Sequence, residues 1–135
     1  MSKKRYAYIV RKETFATAHR LCVNEWSDEK NLEVYSKCTN NHGHNYKLYV
    51  TIKSEVDPVS GMVMNFSEVK RIIRENVVNK LDHKLMNDDV EEFKNMCPTT
   101  ENVAYVIWEW LKPDIPDLVE VKIEETENNT VIYKG

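Results

Sequence analysis

Two histidines separated by one glycine, His42-Gly43-His44, constrain the fold more than any other feature of the sequence. Side chains two residues apart point to the same face of an extended chain, so a strand can offer both imidazoles to one metal ion. Residues 46–53 continue with an alternation of apolar and polar or aromatic side chains, which predicts a strand. The pattern therefore indicates a β-sheet with candidate metal ligands near one end.

Two further residues add to the predicted metal site. His19 lies in a second strand-like segment, residues 15–21, and Cys38 precedes the histidine pair by four positions. Three histidines suit zinc and leave a fourth position for water or a substrate oxygen, which is typical of a catalytic site. Two alternatives stay open: ordinary surface or core histidines, and a four-ligand structural site that includes Cys38.

The composition predicts a single domain, residues 1–135, with a modest apolar core. The formal net charge is −3 with acids and bases interleaved, which argues against binding to nucleic acid or to an anionic membrane. No apolar run is long enough to span a membrane, and residues 1–5 lead into a strand-like segment instead of a signal-peptide core. Three cysteines without regular spacing fit a reducing compartment, so we expect a cytoplasmic location.

Residue periodicity predicts an α+β fold in which two helices cover one face of a four-stranded antiparallel sheet. The predicted strands are residues 6–21, 46–53, 119–125 and 131–133, and the predicted helices run from 66 to about 80 and from about 99 to 112. The polar residues 24–37 are expected to form a covering loop, with Leu32 and Tyr35 facing inward from a short helical turn. Residues 87–92 are expected to form an exposed acidic connection.

Two acidic residues, Glu125 and Asp82, are candidate site residues because of their positions in the predicted elements. Alternation puts Glu125 on the apolar side of its predicted strand, where a carboxylate is costly unless a cation or donor meets it. Asp82 and His83 follow the first long helix. Because adjacent residues do not usually face one another, we expect Asp82 to hold a different group or to shape the field around the imidazole. Exposure at a sheet edge for Glu125, and a helix C-terminus for His83, are the structural alternatives.

The order strand, strand, helix, helix, strand, strand resembles that of the tunnelling fold. Six segments, in the right order and spanning the chain essentially end to end, resemble the 6-pyruvoyltetrahydropterin synthases and their relatives, the 6-carboxytetrahydropterin synthases of queuosine biosynthesis. These segments are residues 15–21, 38–46, 61–65, 81–84, 98–104 and 125–126.

The resemblance implies a lyase that acts on 7,8-dihydroneopterin triphosphate with a zinc ion held by His19, His42 and His44. It makes Cys38 the general base and lets it work with the pair Asp82 and His83, supplied by a neighbouring subunit. The implied assembly is a homohexamer of two stacked trimers whose sheets close into barrels. Such closure would also remove the exposed edges of a small sheet.

The resemblance also implies that Glu125 anchors the pterin. A pterin presents an N–H and an amino group side by side, which suits the two oxygens of one carboxylate. Three further residues are expected to contact the substrate: Thr99, Thr100 and Glu101.

The sequence features that distinguish the pyruvoyl product from the carboxy product conflict. Three residues separate Cys38 from His42, as in the queuosine branch, whereas animal pyruvoyl enzymes have five. Residues 24–37 and 61–65 instead resemble the pyruvoyl enzymes. We expect the pyruvoyl product, with the carboxy product as the alternative. More remote alternatives are another pterin or purine enzyme of the tunnelling fold and a non-catalytic module with a structural zinc site of one cysteine and three histidines.

Overall fold

The computed structural model describes residues 3–135 and contains a four-stranded antiparallel sheet in the order β1-β2-β3-β4. The strands are β1 (Tyr6–His19), β2 (His42–Glu55), β3 (Leu118–Glu124) and β4 (Thr130–Tyr133). Met1 and Ser2, which belong to the predicted 1–135 domain and to the predicted N-terminal lead-in, lie outside the described residues. The predicted α+β architecture is confirmed.

Helices lie between the strands, mainly between β2 and β3. They are α1 (Asp28–Tyr35), α2 (Phe66–Ile73), α3 (Asn79–Leu81), α4 (Met86–Asp89) and α5 (Thr100–Leu111). Short 3-10 turns add Ser36–Thr39 and Glu91–Phe93, and a π-helical turn, Arg74–Val78, joins α2 to α3. None of the helices in residues 3–135 is long and apolar enough to cross a membrane.

The core lies between the sheet and the long helices α2 and α5. Phe15 of β1 pairs with Tyr46 of β2, and both side chains are buried on the helix-covered face. The predicted apolar stripe of the first long helix is entirely buried: Val69, Ile72, Ile73, Val77 and Leu81. Because the same alternation continues to the ends of β1 and β2, His19, His42 and His44 share the face of this core.

Two segments before α2 differ from the prediction. The strand predicted at 46–53 begins at His42, so the histidine pair belongs to β2 itself. In residues 24–37 the expected short helical turn is the eight-residue helix α1, and Leu32 is 60% exposed instead of facing inward. Ser27 caps this helix, and the buried Asn31 amide bonds the backbone of Val23. Polar capping and one buried amide, not an apolar stripe, therefore hold this helix in place.

The remaining differences concern helical segments. The helix predicted from 66 to about 80 is interrupted by the π-helical turn, which contains Val77 of the buried stripe. Residues 87–92 are not simply an exposed connection, because Asn87 is buried and exchanges hydrogen bonds with the backbone of Arg20 at 2.9 Å. This connection therefore helps to fix the chain just after β1.

Candidate active site

Three histidines converge where β1 ends and β2 begins. The antiparallel register places His19 opposite His42 and Thr17 opposite His44. The three imidazole centroids lie 4.6 to 5.2 Å apart, and one ring nitrogen of each histidine lies within 4.8 Å of the others. The predicted cluster of His19, His42 and His44 is therefore positioned to bind a metal ion.

The backbone orients two of these rings. Nδ1 of His19 lies 2.7 Å from the carbonyl oxygen of Pro98, and Nδ1 of His42 lies 2.8 Å from that of Asn40. Each Nδ1–H can donate to its carbonyl, which leaves Nε2 of the ring free as a ligand. Nε2 of His44 is buried and has no hydrogen-bond partner among residues 3–135. A buried nitrogen without a partner is costly, and metal binding would satisfy it.

Burial also sets the charge of the ligands. Desolvation lowers the pKa of His19 and of His44 below the ordinary value of 6.5. Both imidazoles are therefore neutral at pH 7, and the neutral form is the one that binds a metal. The arrangement fits a metal site in the number of its nitrogen donors and in the neutral state of His19 and His44.

These pKa shifts predict how the stability of the metal-free protein depends on pH. The unfolded chain binds a proton at each histidine near pH 6.5, whereas the folded chain binds it only at lower pH, so unfolding is favoured as the pH falls below 6.5. Urea unfolding of chelator-treated protein between about pH 7.5 and pH 5 would measure this. A flat profile would contradict the buried, neutral state of the cluster.

Cys38 lies in the 3-10 turn between α1 and β2. Its carbonyl oxygen accepts a hydrogen bond from Leu21 N at 2.8 Å, which ties the turn to the chain that follows His19. The group of mutually close ligand atoms in residues 3–135 contains only the three histidines and not the Cys38 sulfur. This geometry disfavours the four-ligand structural site.

A cleft of about 540 Å³ contains the four predicted substrate-contacting residues: Thr99, Thr100, Glu101 and Glu125. The hydroxyl of Thr100, at the start of α5, donates a hydrogen bond to a carboxylate oxygen of Glu125. Glu125 is not inside β3 as predicted. It follows the strand by one residue and is half-buried where the turn to β4 begins. The cleft lies close to the histidines, because Leu21, two residues after His19, lines it and because His19 is bonded to Pro98, which precedes the lining residue Thr99.

Tyr46 is a polar residue of this region that sequence patterns alone did not mark. It is fully buried, and its hydroxyl has no hydrogen-bond partner among residues 3–135. Burial raises the pKa of the phenol well above its usual value, so the hydroxyl remains protonated and can only act as a neutral donor or acceptor. The signal in the sequence is its spacing, since Tyr46 follows His44 by two residues and must share its face.

Asp82 and His83 lie at the outer edge of β1. Asp82 Oδ1 accepts a hydrogen bond from Ala16 N at 2.9 Å, and His83 N donates to Ala16 O at 2.7 Å. Asp82 therefore holds a different group, as predicted. It also contacts the adjacent imidazole, with 2.9 Å between Oδ2 and His83 Nδ1, which corrects the expectation that neighbours do not face one another. The reason is the backbone of His83, whose φ of 62° turns its ring back toward the carboxylate.

The contact between Asp82 and His83 is already formed, but Cys38 does not join this pair in residues 3–135. The hydrogen bond from Ala16 N, followed by the contact with His83, lowers the pKa of the Asp82 carboxyl. The His83 side chain is 84% exposed. Cys38, Asp82 and His83 do not form a group of mutually close polar atoms within the described chain. The predicted catalytic trio is therefore not brought together by one subunit.

Comparison with known proteins gives one consistent result. The sequence profile of the family "6-pyruvoyl tetrahydropterin synthase" matches residues 8–135. The 6-pyruvoyl tetrahydrobiopterin synthase of Dictyostelium discoideum is 48% identical over 132 residues, which cover 97% of this chain and 98% of that protein. A putative 6-carboxy-5,6,7,8-tetrahydropterin synthase of Archaeoglobus fulgidus is 38% identical over 94 residues, which cover 70% of this chain and 76% of the relative.

The fold agrees with the sequence comparisons. The solved structure of Caenorhabditis elegans 6-pyruvoyl tetrahydropterin synthase superposes with a TM-score of 0.95 and 39% identity, covering 100% of this chain and 99% of that one. The tunnelling fold predicted from the order of elements is thereby confirmed. Since profile, relatives and structure match over nearly the whole chain, this protein belongs to the 6-pyruvoyl tetrahydropterin synthase family of lyases.

Proposed function

We propose that this protein is a zinc-dependent lyase that converts 7,8-dihydroneopterin triphosphate to 6-pyruvoyltetrahydropterin with elimination of triphosphate. The observation that carries the proposal is the position of the three-histidine cluster beside the Glu125 cleft. A metal site with an open position next to an anchoring carboxylate suits a substrate with a ring at one end and a reactive side chain at the other.

His19, His42 and His44 would hold the zinc ion. When bound, zinc would act as a Lewis acid on the substrate's side-chain hydroxyl and stabilise the negative charge that develops on deprotonation. The fit rests on three nitrogen donors, on the neutral state of His19 and His44 at pH 7, and on the buried Nε2 of His44, which lacks any other partner in residues 3–135.

Glu125 would bind the pterin ring through its N–H and amino donors. Both donors can be accepted by one carboxylate, which fixes the ring in a single orientation. Thr100 already donates to Glu125 and can hold the carboxylate for this contact. Thr99 and Glu101 line the same cleft and complete the proposed substrate contacts.

Cys38 would act as the general base that removes a proton from the substrate side chain. Its turn is tied to the chain after His19, which keeps the thiol near the end of β1 and the start of β2. A thiolate near a cation is favoured and can accept a proton at neutral pH. The Asp82–His83 pair of a neighbouring subunit would then orient and move protons in the same site. Its exposure and its fixed 2.9 Å contact suit a role toward another chain.

The proposed homohexamer also accounts for open sheet edges. β1 and β4 are the edge strands, and four large apolar side chains on them are more than half exposed: Tyr6, Tyr8, Val10 and Ile132. Pairing of β1 with β4 of another copy would satisfy the free backbone groups and cover these side chains. We place the enzyme in the cytoplasm, consistent with its three free cysteines.

Mixing two inactive variants tests the shared site. Cys38→Ala and His83→Ala chains, unfolded and refolded together, would recover about one quarter of the wild-type rate by random assembly in a symmetric oligomer. Cys38→Ala mixed with His44→Ala is the matched control, because both groups are proposed to come from the same chain. Recovery in the control mixture, or none in the test mixture, would contradict the division of the site between subunits.

Product identification tests the proposed function itself. The zinc-loaded protein would be incubated with 7,8-dihydroneopterin triphosphate and the products analysed by mass spectrometry. We expect 6-pyruvoyltetrahydropterin and inorganic triphosphate. Unchanged substrate in the presence of bound zinc would refute the proposal.

A second candidate, 6-carboxytetrahydropterin synthase, acts on the same substrate. Two observations favour it: the three-residue spacing between Cys38 and His42, and the similarity to the archaeal protein of that name. The pyruvoyl relative is more similar and covers more of the chain, so we rank the carboxy product second. Formation of 6-carboxytetrahydropterin together with acetaldehyde would reverse this ranking.

A further inference from the structure

Tyr46 contains a buried polar group near the proposed pterin site that the proposed mechanism does not use. The side chain is 0% exposed, and its hydroxyl is without a hydrogen-bond partner in the described part of the chain. Leaving a buried hydroxyl unpaired costs free energy, whereas phenylalanine would fill the same space without that cost. A tyrosine here is therefore better explained by ligand binding than by stability.

The sheet register places this hydroxyl beside the pterin-anchoring residue. Lys47 of β2 pairs with Glu124 of β3, so extending the register by one pair sets Tyr46 opposite Glu125. The Tyr46 ring also lies on the face of the metal cluster, with its centroid 5.5 Å from that of His44. Tyr46 thus lies between the two halves of the proposed site.

Thr100 provides the link between the phenol and the carboxylate. Its side chain is buried and donates to Glu125, which the register sets opposite Tyr46. A threonine hydroxyl can accept one hydrogen bond while donating another, and the two bonds strengthen each other. The Tyr46 hydroxyl itself has no hydrogen bond to Thr100 or to any other group of residues 3–135.

We propose that Tyr46 is a positioning residue. When a pterin binds, the Tyr46 hydroxyl donates to Thr100 Oγ1. The Thr100 hydroxyl in turn donates to Glu125 and fixes its carboxylate toward the pterin ring. The inference rests on the proposed function, since it requires a pterin at Glu125. No covalent step is involved, and the phenol stays protonated throughout. The relay would contribute to ligand affinity and not to the chemical step.

Tyr46→Phe removes the hydroxyl and keeps the ring. In the full-length, zinc-loaded protein we expect neopterin, titrated by its fluorescence, to bind about five- to twentyfold more weakly, as for loss of one hydrogen bond toward a charged group. KM for the triphosphate substrate should rise while kcat changes little. Zinc content should be unchanged, and the variant should unfold at an equal or higher temperature. Tyr49→Phe, on the same strand but the opposite face, is the matched control and should leave all five properties unchanged.

A double-mutant cycle with Thr100→Val separates the relay from a packing effect. If the hydroxyl acts through Thr100, Tyr46→Phe should weaken neopterin binding little further in the Thr100→Val background. The inference is overturned if Tyr46→Phe binds neopterin like the wild type, loses zinc, unfolds at lower temperature, or weakens binding equally in both backgrounds. A wild-type protein that binds no pterin would overturn the proposed function and this inference together. If the wild type turns over the substrate and Tyr46→Phe binds neopterin equally well, the inference alone is overturned.

Discussion

Replacing His44 by alanine is expected to lower turnover by at least about a thousandfold, because several kcal/mol of transition-state stabilisation depend on the metal. His44 supplies the buried nitrogen that has no other partner in residues 3–135. Its removal leaves two imidazoles, which do not make a stable zinc site. Zinc content per chain, measured by atomic emission on dialysed protein, should fall together with the rate.

The matched control for this variant is Thr51→Ala. Thr51 lies on the same strand but on the face opposite to the cluster, so zinc content and turnover should stay close to those of the wild type. A His44→Ala protein that keeps both its zinc and its activity would show that the histidine cluster is not the catalytic metal site.

Cys38→Ala is expected to separate catalysis from metal binding. Loss of a general base should reduce kcat by roughly a hundredfold to ten-thousandfold. The sulfur lies outside the group of mutually close ligands, so zinc content and unfolding temperature should be retained. Turnover, zinc content and thermal unfolding would be measured on the same preparation.

The other two free cysteines provide the controls for Cys38. Cys22→Ala and Cys97→Ala should retain activity, since neither residue has a part in the proposed chemistry. Loss of zinc and of the fold in Cys38→Ala would instead support the structural four-ligand site, and full activity would exclude Cys38 as the base.

Much of the fold could be predicted because its signals are periodic. Alternation with a period of two identified the four strands and the face that His42 and His44 share. Helical spacing identified the buried stripe from Val69 to Leu81. Side-chain direction in a strand depends only on local geometry, so the shared face of His42 and His44 could be predicted without the register. The position of His19 beside them depends on the pairing of β1 with β2.

Other features depend on contacts that local patterns do not encode. The helix at Asp28–Tyr35 lacks a buried apolar stripe and is held by the Ser27 cap and the Asn31 amide. The contact between Asp82 and His83 requires a positive φ at a residue other than glycine, which is rare and unmarked in the sequence. The position of Tyr46 opposite Glu125 follows only from the observed pairing of β2 with β3. The proposed meeting of Cys38 with the Asp82–His83 pair depends on a second subunit.

Zinc titration tests whether the three-histidine cluster holds a catalytic metal ion. Metal-free protein would receive increasing zinc, and release of inorganic triphosphate from 7,8-dihydroneopterin triphosphate would be followed at each step. We expect no turnover without metal, a linear rise of the turnover rate with added zinc and a plateau at one zinc per chain. The resulting pterin would be identified in the same sample. Turnover that is independent of zinc, or zinc binding at one per chain without release of triphosphate, would contradict it.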